Sequence, residues 1–285
     1  TNLNSTTVNQ SISSVNVNKS FVIATLEKGG NTYGNDDGVI ADLSSSTNIQ
    51  FRSSDAPSSN VNWQVVEMED ALVRKVRLIL PSGTASTTAA VSAYASSCGI
   101  TPNGAVVGNS FIVGNHTQDD DVRSDDLPRF ELTDTNEITA TRVGTTAELE
   151  CLIYVVELFD GSTVQHGTVT ISGTNTTNTA TLTAVTEIAS GYIPPGNFMR
   201  QGSSTLTSND NLGVSWATYN LTDATTITAT RASSTNSTSI FPYQVISFAN
   251  FSNPPLPIEL GAFHARLLSH RAVELDWITY SEKHN

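Results

Sequence analysis

The chain repeats one pattern three times, and this repeat constrains its fold more than any other feature. Apolar segments of strand-like character recur about 90 residues apart and align on Val65, Val155 and Val245. Shortly before each segment, a polar stretch ends in an arginine, at Arg52, Arg142 and Arg231. Because several anchors keep the same order at nearly the same spacing, the sequence predicts three copies of one module.

The composition favours strands over helices. Only 14% of the residues are charged and 7% are aromatic, and Thr, Ser and Asn dominate the polar remainder. Thr suits a pleated strand because its branched side chain is stiff there. Segments such as TVTISG and TATLTAV alternate polar and apolar residues, as half-buried strands do, and no sustained helical period is present. We therefore predict an all-β chain of tandem immunoglobulin-like β-sandwich modules.

The repeat suggests four parts. We expect a first module with a leading orphan strand at 1–97, a second module at 98–185, a third, incomplete module at 186–254, and a tail strand segment at 255–285. The third module is interpreted as incomplete because the strands that follow the apolar segment in the first two modules have no counterpart after it.

The two ends of the repeat do not match. A strand-like segment near the start holds the place of a closing strand with no module before it; its residues are Thr6, Val8, Ser11, Ile12 and Val15. A sandwich that lacks a strand exposes apolar core and unpaired backbone groups. Three arrangements remain open: the first strand belongs to its own module, the tail completes the third module, or a neighbouring subunit donates a strand. Donation between opposite ends would propagate as a filament.

The tail resembles a segment of secreted Bacteroidetes proteins. There the pattern reads LPVEL, then a gap, then VxLxWxTxSE, upstream of a C-terminal sorting domain for type IX secretion. The matching residues here are Leu256, Pro257, Ile258, Glu259, Leu260, Phe263, Val273, Leu275, Trp277, Thr279, Ser281, Glu282 and Asn285. The resemblance implies export across the outer membrane to the cell surface or the medium.

The tail is a second candidate donor. Val273, Leu275 and Trp277 alternate with acidic residues in VELDWITY, as the residues of an exposed strand would. The sequence leaves open whether the N-terminal segment or this one is the donor. In either case the expected partner is another copy of the chain.

The charge argues against two classes of partner. A net charge of -13 repels nucleic acid and anionic membranes. No apolar run is long enough to span a bilayer. No nucleophile elbow, phosphate loop, dinucleotide fingerprint or paired-histidine zinc motif is present, so we expect no enzyme and no cofactor except a candidate calcium ion.

Two further sites are suggested by residue type. The acidic loop of the second module holds a candidate calcium set, Asp119, Asp120, Asp121, Asp125 and Asp126, although a solvated acidic loop is the favoured interpretation. Cys98 and Cys151 form one disulfide in an oxidising compartment or remain two separate buried thiols. The three arginines are interpreted as charges at strand edges, with a repeated anion or glycan contact as the alternative.

Three functions are compatible with these features. The first is an extracellular structural subunit that polymerises head-to-tail into a surface filament by donor-strand complementation. The second is a monomeric surface adhesin or a glycan-binding stalk, with host or surface glycans as partners. The third is the non-catalytic part of a larger secreted enzyme. The unmatched ends of the repeat favour the first.

Overall fold

A computed structural model of the chain describes residues 1–27, 37–56, 59–91, 104–117, 127–185, 191–193, 212–234 and 238–249, and the backbone of 260–269 and 272–279. Nearly all regular elements in these ranges are strands. Exceptions include a 3-10 turn, Val107–Asn109, and a one-turn helix, Leu212–Ser215. The chain divides into two compact units, 1–248 and 249–285. The predicted all-β fold class is confirmed.

The first module contains six strands. They are β1 (Asn2–Leu3), β2 (Thr7–Ser11), β3 (Ser20–Leu26), β4 (Ile40–Ser45), β5 (Asn48–Arg52) and β6 (Ser59–Glu67). They form two antiparallel sheets of three strands, in the orders β1-β6-β3 and β2-β5-β4. Phe51 of β5 and Trp63 of β6 pack against each other between these sheets, with ring centroids 6.4 Å apart.

The second and third modules repeat this arrangement. The second contains β7 (Ala71–Leu80), β8 (Ser86–Ala90), β9 (Ser110–His116), β10 (Arg129–Asp134), β11 (Glu137–Thr141) and β12 (Leu149–Leu158). The third contains β13 (Thr163–Ile171), β14 (Thr177–Thr181), β15 (Gly191–Tyr192), β16 (Ala217–Asp223), β17 (Thr226–Arg231) and β18 (Ser239–Ser247). The sheet orders are β7-β12-β9 and β8-β11-β10, then β13-β18-β15 and β14-β17-β16.

The strand pairing corrects the predicted module boundaries. β7 and β8 fall within the expected first module at 1–97, yet they pair with β12 and β11 of the second module. In the same way β13 and β14 open the third module, which therefore has two three-stranded sheets and is not incomplete. A repeat fixes the length of its period but not the point at which each unit starts, and only the pairing of strands sets that point.

The predicted orphan strand is also corrected. β2 pairs with β5 from Thr7 opposite Arg52 to Ser11 opposite Asn48. The chain stays on this sheet beyond β2, because the Ile12 and Val15 amides donate to the carbonyls of Thr47 and Ser46, both at 2.9 Å. Strand β2 is thus paired within the first module of its own chain, at the edge of that sheet, which removes the reason to consider it a donor.

The first sheet of the second module is covered on both faces. Along β12, Cys151, Ile153 and Val155 belong to the core of their own module. The intervening residues Leu152 and Tyr154 share a core with the first module. This explains why the β12 sequence is apolar throughout, since a strand buried on both faces has no solvent side to mark with polar residues.

Buried polar groups define the joints between modules. The Tyr154 hydroxyl donates to the Ala41 carbonyl and accepts from the Leu43 amide, both at 2.8 Å. At the next joint Gln244 takes the register-equivalent place. Its side chain accepts from the Ile112 amide at 2.6 Å and donates to the Ile112 carbonyl at 2.9 Å. Each joint therefore buries a polar side chain from the central strand of the following module, which bonds to β4 at the first joint and to β9 at the second.

The second unit contains a hairpin whose backbone alone is described. β19 (Leu260–Ser269) and β20 (Ala272–Thr279) pair antiparallel as a two-stranded sheet. The register shifts between Leu260 and Ala262 and again between Leu267 and Ser269, so the irregular positions lie on β19. Strand β20 keeps an uninterrupted register over the same length.

Candidate assembly edge

Strand β6 is the counterpart of β12 and β18. On one side it pairs with β3 along its length, and Phe21 lies opposite Val66 as Phe111 lies opposite Val156. On the other side the three modules differ. The pairing of β12 with β7 extends from Leu149 to Leu158, whereas that of β6 with β1 is limited to Ser59 and Asn60.

The open part of this edge begins after Val61. The Val61 amide donates to the Thr1 carbonyl at 2.7 Å, and the Thr1 amine donates to the Val61 carbonyl at 3.1 Å. Beyond this point no strand in the described part of the chain pairs with β6 on the β1 side. We call the stretch from Trp63 to Glu67 on this side the open edge.

The direction of the backbone groups follows from strand geometry. The Asn60 carbonyl accepts from Glu27 and the Met68 amide donates to Lys19, so even-numbered residues of β6 bond towards β3. Neighbouring residues of an antiparallel strand bond to opposite sides. The amide and carbonyl groups of Trp63, Val65 and Glu67 therefore point out of the open edge.

The side chains of β6 are less buried than those of β12, which has a neighbouring strand on both sides. Every residue of β12 except Glu150 is buried, including Ile153 and Val155 at 0% exposure. Their counterparts in β6, Trp63 and Val65, are only half-buried. The Trp63 indole Nε1 donates to the Thr1 hydroxyl at 2.9 Å, so even this aromatic ring retains a polar contact at the edge.

The complete modules indicate what fits such an edge. In the second module, Arg74 lies opposite Val155, Val76 opposite Ile153 and Leu78 opposite Cys151. Val76 and Leu78 are buried in the core of that module. The corresponding occupant of the open edge is an antiparallel strand that places side chains of one face beside Trp63 and Val65.

The candidate calcium set lies outside the described residues. This applies to Asp119, Asp120, Asp121, Asp125 and Asp126 alike. Among the residues that the structure describes, no cluster of three or more His, Cys, Asp or Glu side chains could hold a metal ion. The calcium site at this loop stays a prediction.

Only one of the two cysteines lies among the described residues. Cys98 lies outside the described residues, and Cys151 is a free thiol at 0% exposure in the core of the second module. Burial raises the pKa of the Cys151 thiol far above its ordinary value, which disfavours the reactive thiolate. The disulfide between them stays a prediction.

Two of the three repeated arginines are buried, which corrects their interpretation as strand-edge charges. By backbone register Arg142 and Arg231 correspond to Ser53 rather than to Arg52. Each of these three backbone amides donates to the carbonyl of the residue that directly precedes the neighbouring strand. Arg142 is 2% exposed and Arg231 is 1% exposed. The physical reason is that each side chain turns inward, where it meets backbone carbonyls.

These buried arginines hold the turn between the two sheets of their module. Arg142 donates to the carbonyls of Pro81 at 2.8 Å and Thr84 at 3.1 Å. Arg231 donates to Gly173 at 2.7 Å and to Asn175 at 3.0 Å. The turn glycine of the third module has a φ of 56°, in the left-handed region that glycine tolerates best.

Arg52 has a different role from its two sequence counterparts. Its guanidinium forms an ion pair with Glu150 at 2.8 Å, and Arg77 contacts the same carboxylate at 2.7 Å. The pair therefore bridges the first and second modules at a partly exposed position, where ion pairs contribute little to stability.

The sequence indicated the difference between β6 and its counterparts, but the predicted module boundaries hid it. The segments VRKVRLIL and VQHGTVTI, now assigned to β7 and β13, have only the short β1 as their counterpart ahead of β2. Placing them at the end of each module made the third module look short of its closing strands.

The tail residues predicted as subunit contacts lie on β20. The backbone places Val273, Leu275 and Trp277 opposite Leu267, Ala265 and Phe263 of β19. Within the described residues, no helix is long and apolar enough to cross a membrane. Comparisons with protein-family models, with curated proteins and with solved structures found no match for this chain.

Proposed function

We propose that the chain is an extracellular structural subunit that assembles head-to-tail by β-strand complementation. The observation that supports this proposal is the side of β6 from Trp63 to Glu67, which pairs with no strand among the described residues, whereas β12 and β18 pair there with the full-length β7 and β13. The proposed location outside the cell rests on the resemblance of the tail to the segment upstream of type IX sorting domains.

The energetics of the open edge support strand addition. The backbone groups of Trp63, Val65 and Glu67 point towards a neighbour, and each new hydrogen bond contributes about 1 kcal/mol net. The half-buried side chains of Trp63 and Val65 would lose further contact with water, at about 25 cal/mol for each Å² of apolar area. Both contributions favour an added strand.

The form of the assembly follows from the asymmetry of the contact. An acceptor edge on one surface and a donor strand elsewhere on the molecule make a heterologous contact. Such contacts form rings when the rotation closes and filaments when it does not. The proposal gives the chain a structural role and assigns it no catalytic step.

The test compares three forms of the full chain. Val65→Pro removes the amide that points out of the open edge, while the bonds of β6 to β3 involve the other residues. Val65→Ala is the matched control, because it trims the side chain and keeps the amide. Assembly is followed by light scattering and negative-stain microscopy, and folding by circular dichroism.

We expect fibres from the unmodified chain and from Val65→Ala, and folded monomers from Val65→Pro. A single monomeric species of the unmodified chain at all concentrations would contradict the proposal and favour the monomeric adhesin. Fibres from Val65→Pro equal to those of the unmodified chain would also contradict it, because assembly would then use another surface.

A further inference from the structure

The joint between the first and second modules, the first joint, closes the edge of strand β4 with two side chains. The Tyr154 hydroxyl donates to the Ala41 carbonyl and accepts from the Leu43 amide. The Lys75 ammonium donates to the Leu43 carbonyl and to the Asp42 carboxylate, both at 2.9 Å. These two side chains therefore occupy the polar groups that β4 offers to the second module.

The joint between the second and third modules, the second joint, has different residues at the same register positions. On β18, Gln244 takes the place of Tyr154. Its neighbour across the sheet is His166, where the second module has Lys75. Gln244 bonds to Ile112, and the His166 ring contacts carbonyls of the 3-10 turn and of the start of β9. Within the described part of the chain, neither side chain bonds to β10, the counterpart of β4.

The edge of β10 consequently presents backbone groups to this joint. The Arg142 amide donates towards β8, so the odd-numbered residues of β11 bond towards β10, where they meet Arg129 and Glu131. Phe130 and Leu132 therefore turn their amide and carbonyl groups out of the sheet, as the equivalent residues of β4 do. Among the described residues, none forms a hydrogen bond with these outward groups.

A cavity of about 210 Å³ lies at this edge. It is lined by Phe130 and Leu132 of β10 and by Gln244 of β18, so it lies between the second and third modules. The half-buried Glu131 and the exposed Thr133 also line it, which connects it to solvent. Pockets for drug-sized ligands measure about 300–1,000 Å³. This smaller cavity suits a single ring and leaves no room for an added β-strand.

The first joint indicates which chemistry the cavity would take. A group in the place of the Tyr154 hydroxyl must accept from the Leu132 amide and donate to the Phe130 carbonyl. A hydroxyl does both, whereas an ammonium is a donor only. A second donor beside it would meet the Glu131 carboxylate, as the lysine meets the aspartate on β4. Arg129 already pairs with Glu131 at 2.8 Å, so this donor needs no positive charge.

We propose that the cavity at the second joint binds one pyranose ring of a glycan, with neighbouring hydroxyl groups against the edge of β10. A sugar ring carries adjacent hydroxyls that each donate and accept, whereas a phenol has one hydroxyl and would leave the Glu131 carboxylate unmet. The site is separate from the open edge of β6, and the inference does not depend on the assembly proposed above.

The test follows backbone amides by NMR in dilute, monomeric samples of the full chain. Glucose, galactose, mannose and N-acetylglucosamine are titrated separately, and cyclohexylamine, a ring with a charged donor and no acceptor, is the control ligand. The Leu43 amide is an internal control, because Tyr154 already bonds to it. Gln244→Tyr fills the cavity with the residue of the first joint, and Glu131→Gln removes a charge at nearly constant shape. Asp42→Asn makes the matched change at the closed joint.

We expect at least one sugar to shift the Leu132 amide saturably and to leave the Leu43 amide unmoved. Glu131→Gln should weaken this binding about tenfold, Gln244→Tyr should abolish it, and Asp42→Asn should leave it unchanged. The same spectra report whether each variant is folded.

Three results would overturn the inference. The first is the absence of a saturable shift at Leu132 with every sugar. The second is an equal shift with cyclohexylamine, because the cavity would then not select a hydroxyl. The third is undiminished binding by folded Glu131→Gln, which would place the sugar at another site.

Discussion

Strands β6 and β12 occupy the same place in successive modules, yet only one of them is surrounded. Strand β12 has β7 on one side, β9 on the other and packed side chains on both faces. Strand β6 has β3 along its length, and on its other side the described residues provide only β1 and Thr1. The contrast shows that identical placement in a repeat does not imply identical burial, because burial depends on the neighbouring strands.

The faces of the two strands show the same contrast. Tyr154 on the outer face of β12 is buried at 0% exposure against the first module. Its counterpart on β6, Gln64, is exposed. Tyr154 and the equivalent Gln244 of β18 are both buried against a preceding module, whereas Gln64 is in contact with water.

The largest expected difference in stability is between proline substitutions at equivalent positions of β12 and β6. Odd-numbered residues of β12 bond towards β7, as the donation from Phe159 to Asp70 indicates, so Val155→Pro removes an interior hydrogen bond and should cost about 3 kcal/mol or more. Val65→Pro meets the open edge, where proline is tolerated, and should cost far less. Urea unfolding of monomeric samples measures both. Equal losses would mean that the edge of β6 is not open.

The second comparison separates the arginines by burial. Arg142→Met and Arg231→Met leave buried carbonyls without their charged donor and should each destabilise the fold by about 2–3 kcal/mol. Arg52→Met breaks a partly exposed ion pair and should cost less than about 1 kcal/mol. The midpoints of urea unfolding rank the three variants, and a loss for Arg52→Met as large as for the others would refute the assignment.

The third comparison concerns the joint between modules. Tyr154→Phe leaves the Leu43 amide and the Ala41 carbonyl without a partner in a buried place, and should cost about 1–2 kcal/mol. The control, Gln64→Ala at the equivalent exposed position, should change stability by less than about 0.5 kcal/mol. Thermal unfolding of both variants checks this. A larger loss for Gln64→Ala would reverse the contrast between the two strand faces.

The smallest expected effect is a pH dependence of the free energy of unfolding, which arises at the joint of the second and third modules. Burial lowers the pKa of His166, whose Nε2 contacts the Ser110 carbonyl at 2.8 Å and the Val107 carbonyl at 3.2 Å. The Glu131 carboxylate lines the same cleft. Because the unfolded chain binds the proton more readily, the contribution of His166 should fall as the pH drops below about 6.5.

The variant His166→Gln retains a donor for these carbonyls and should lose this part of the pH dependence. Unfolding free energies measured between pH 5 and pH 8 for the two proteins compare their slopes. An unchanged slope in His166→Gln would mean that another group titrates.

The fold could be predicted from the sequence further than the site could. The alternation of polar and apolar residues and the composition together predicted the all-β class. The spacing of Val65, Val155 and Val245 predicted three modules. The module boundaries could not be predicted, because a repeating pattern reads the same from any starting strand. Only the pairing of β8 with β11 decides which module receives it.

The arginines illustrate a second limit of prediction. Arg52, Arg142 and Arg231 align by spacing in the sequence, but the register differs by one residue, and one residue reverses the face of a strand. A charged residue at the end of a polar segment normally indicates solvent. The carbonyl groups that accept from Arg142 and Arg231 come from turns distant in sequence, which alternation patterns do not reveal.

The most direct test of the account is amide hydrogen exchange at the open edge. The proposal predicts rapid exchange at Trp63, Val65 and Glu67 in the monomer, slow exchange at Ile153, Val155 and Glu157, and at least about tenfold slower exchange at the first three after assembly. Slow exchange at Trp63, Val65 and Glu67 in a monomer would contradict an open edge. Rapid exchange that persists in assembled material would contradict its use as the acceptor.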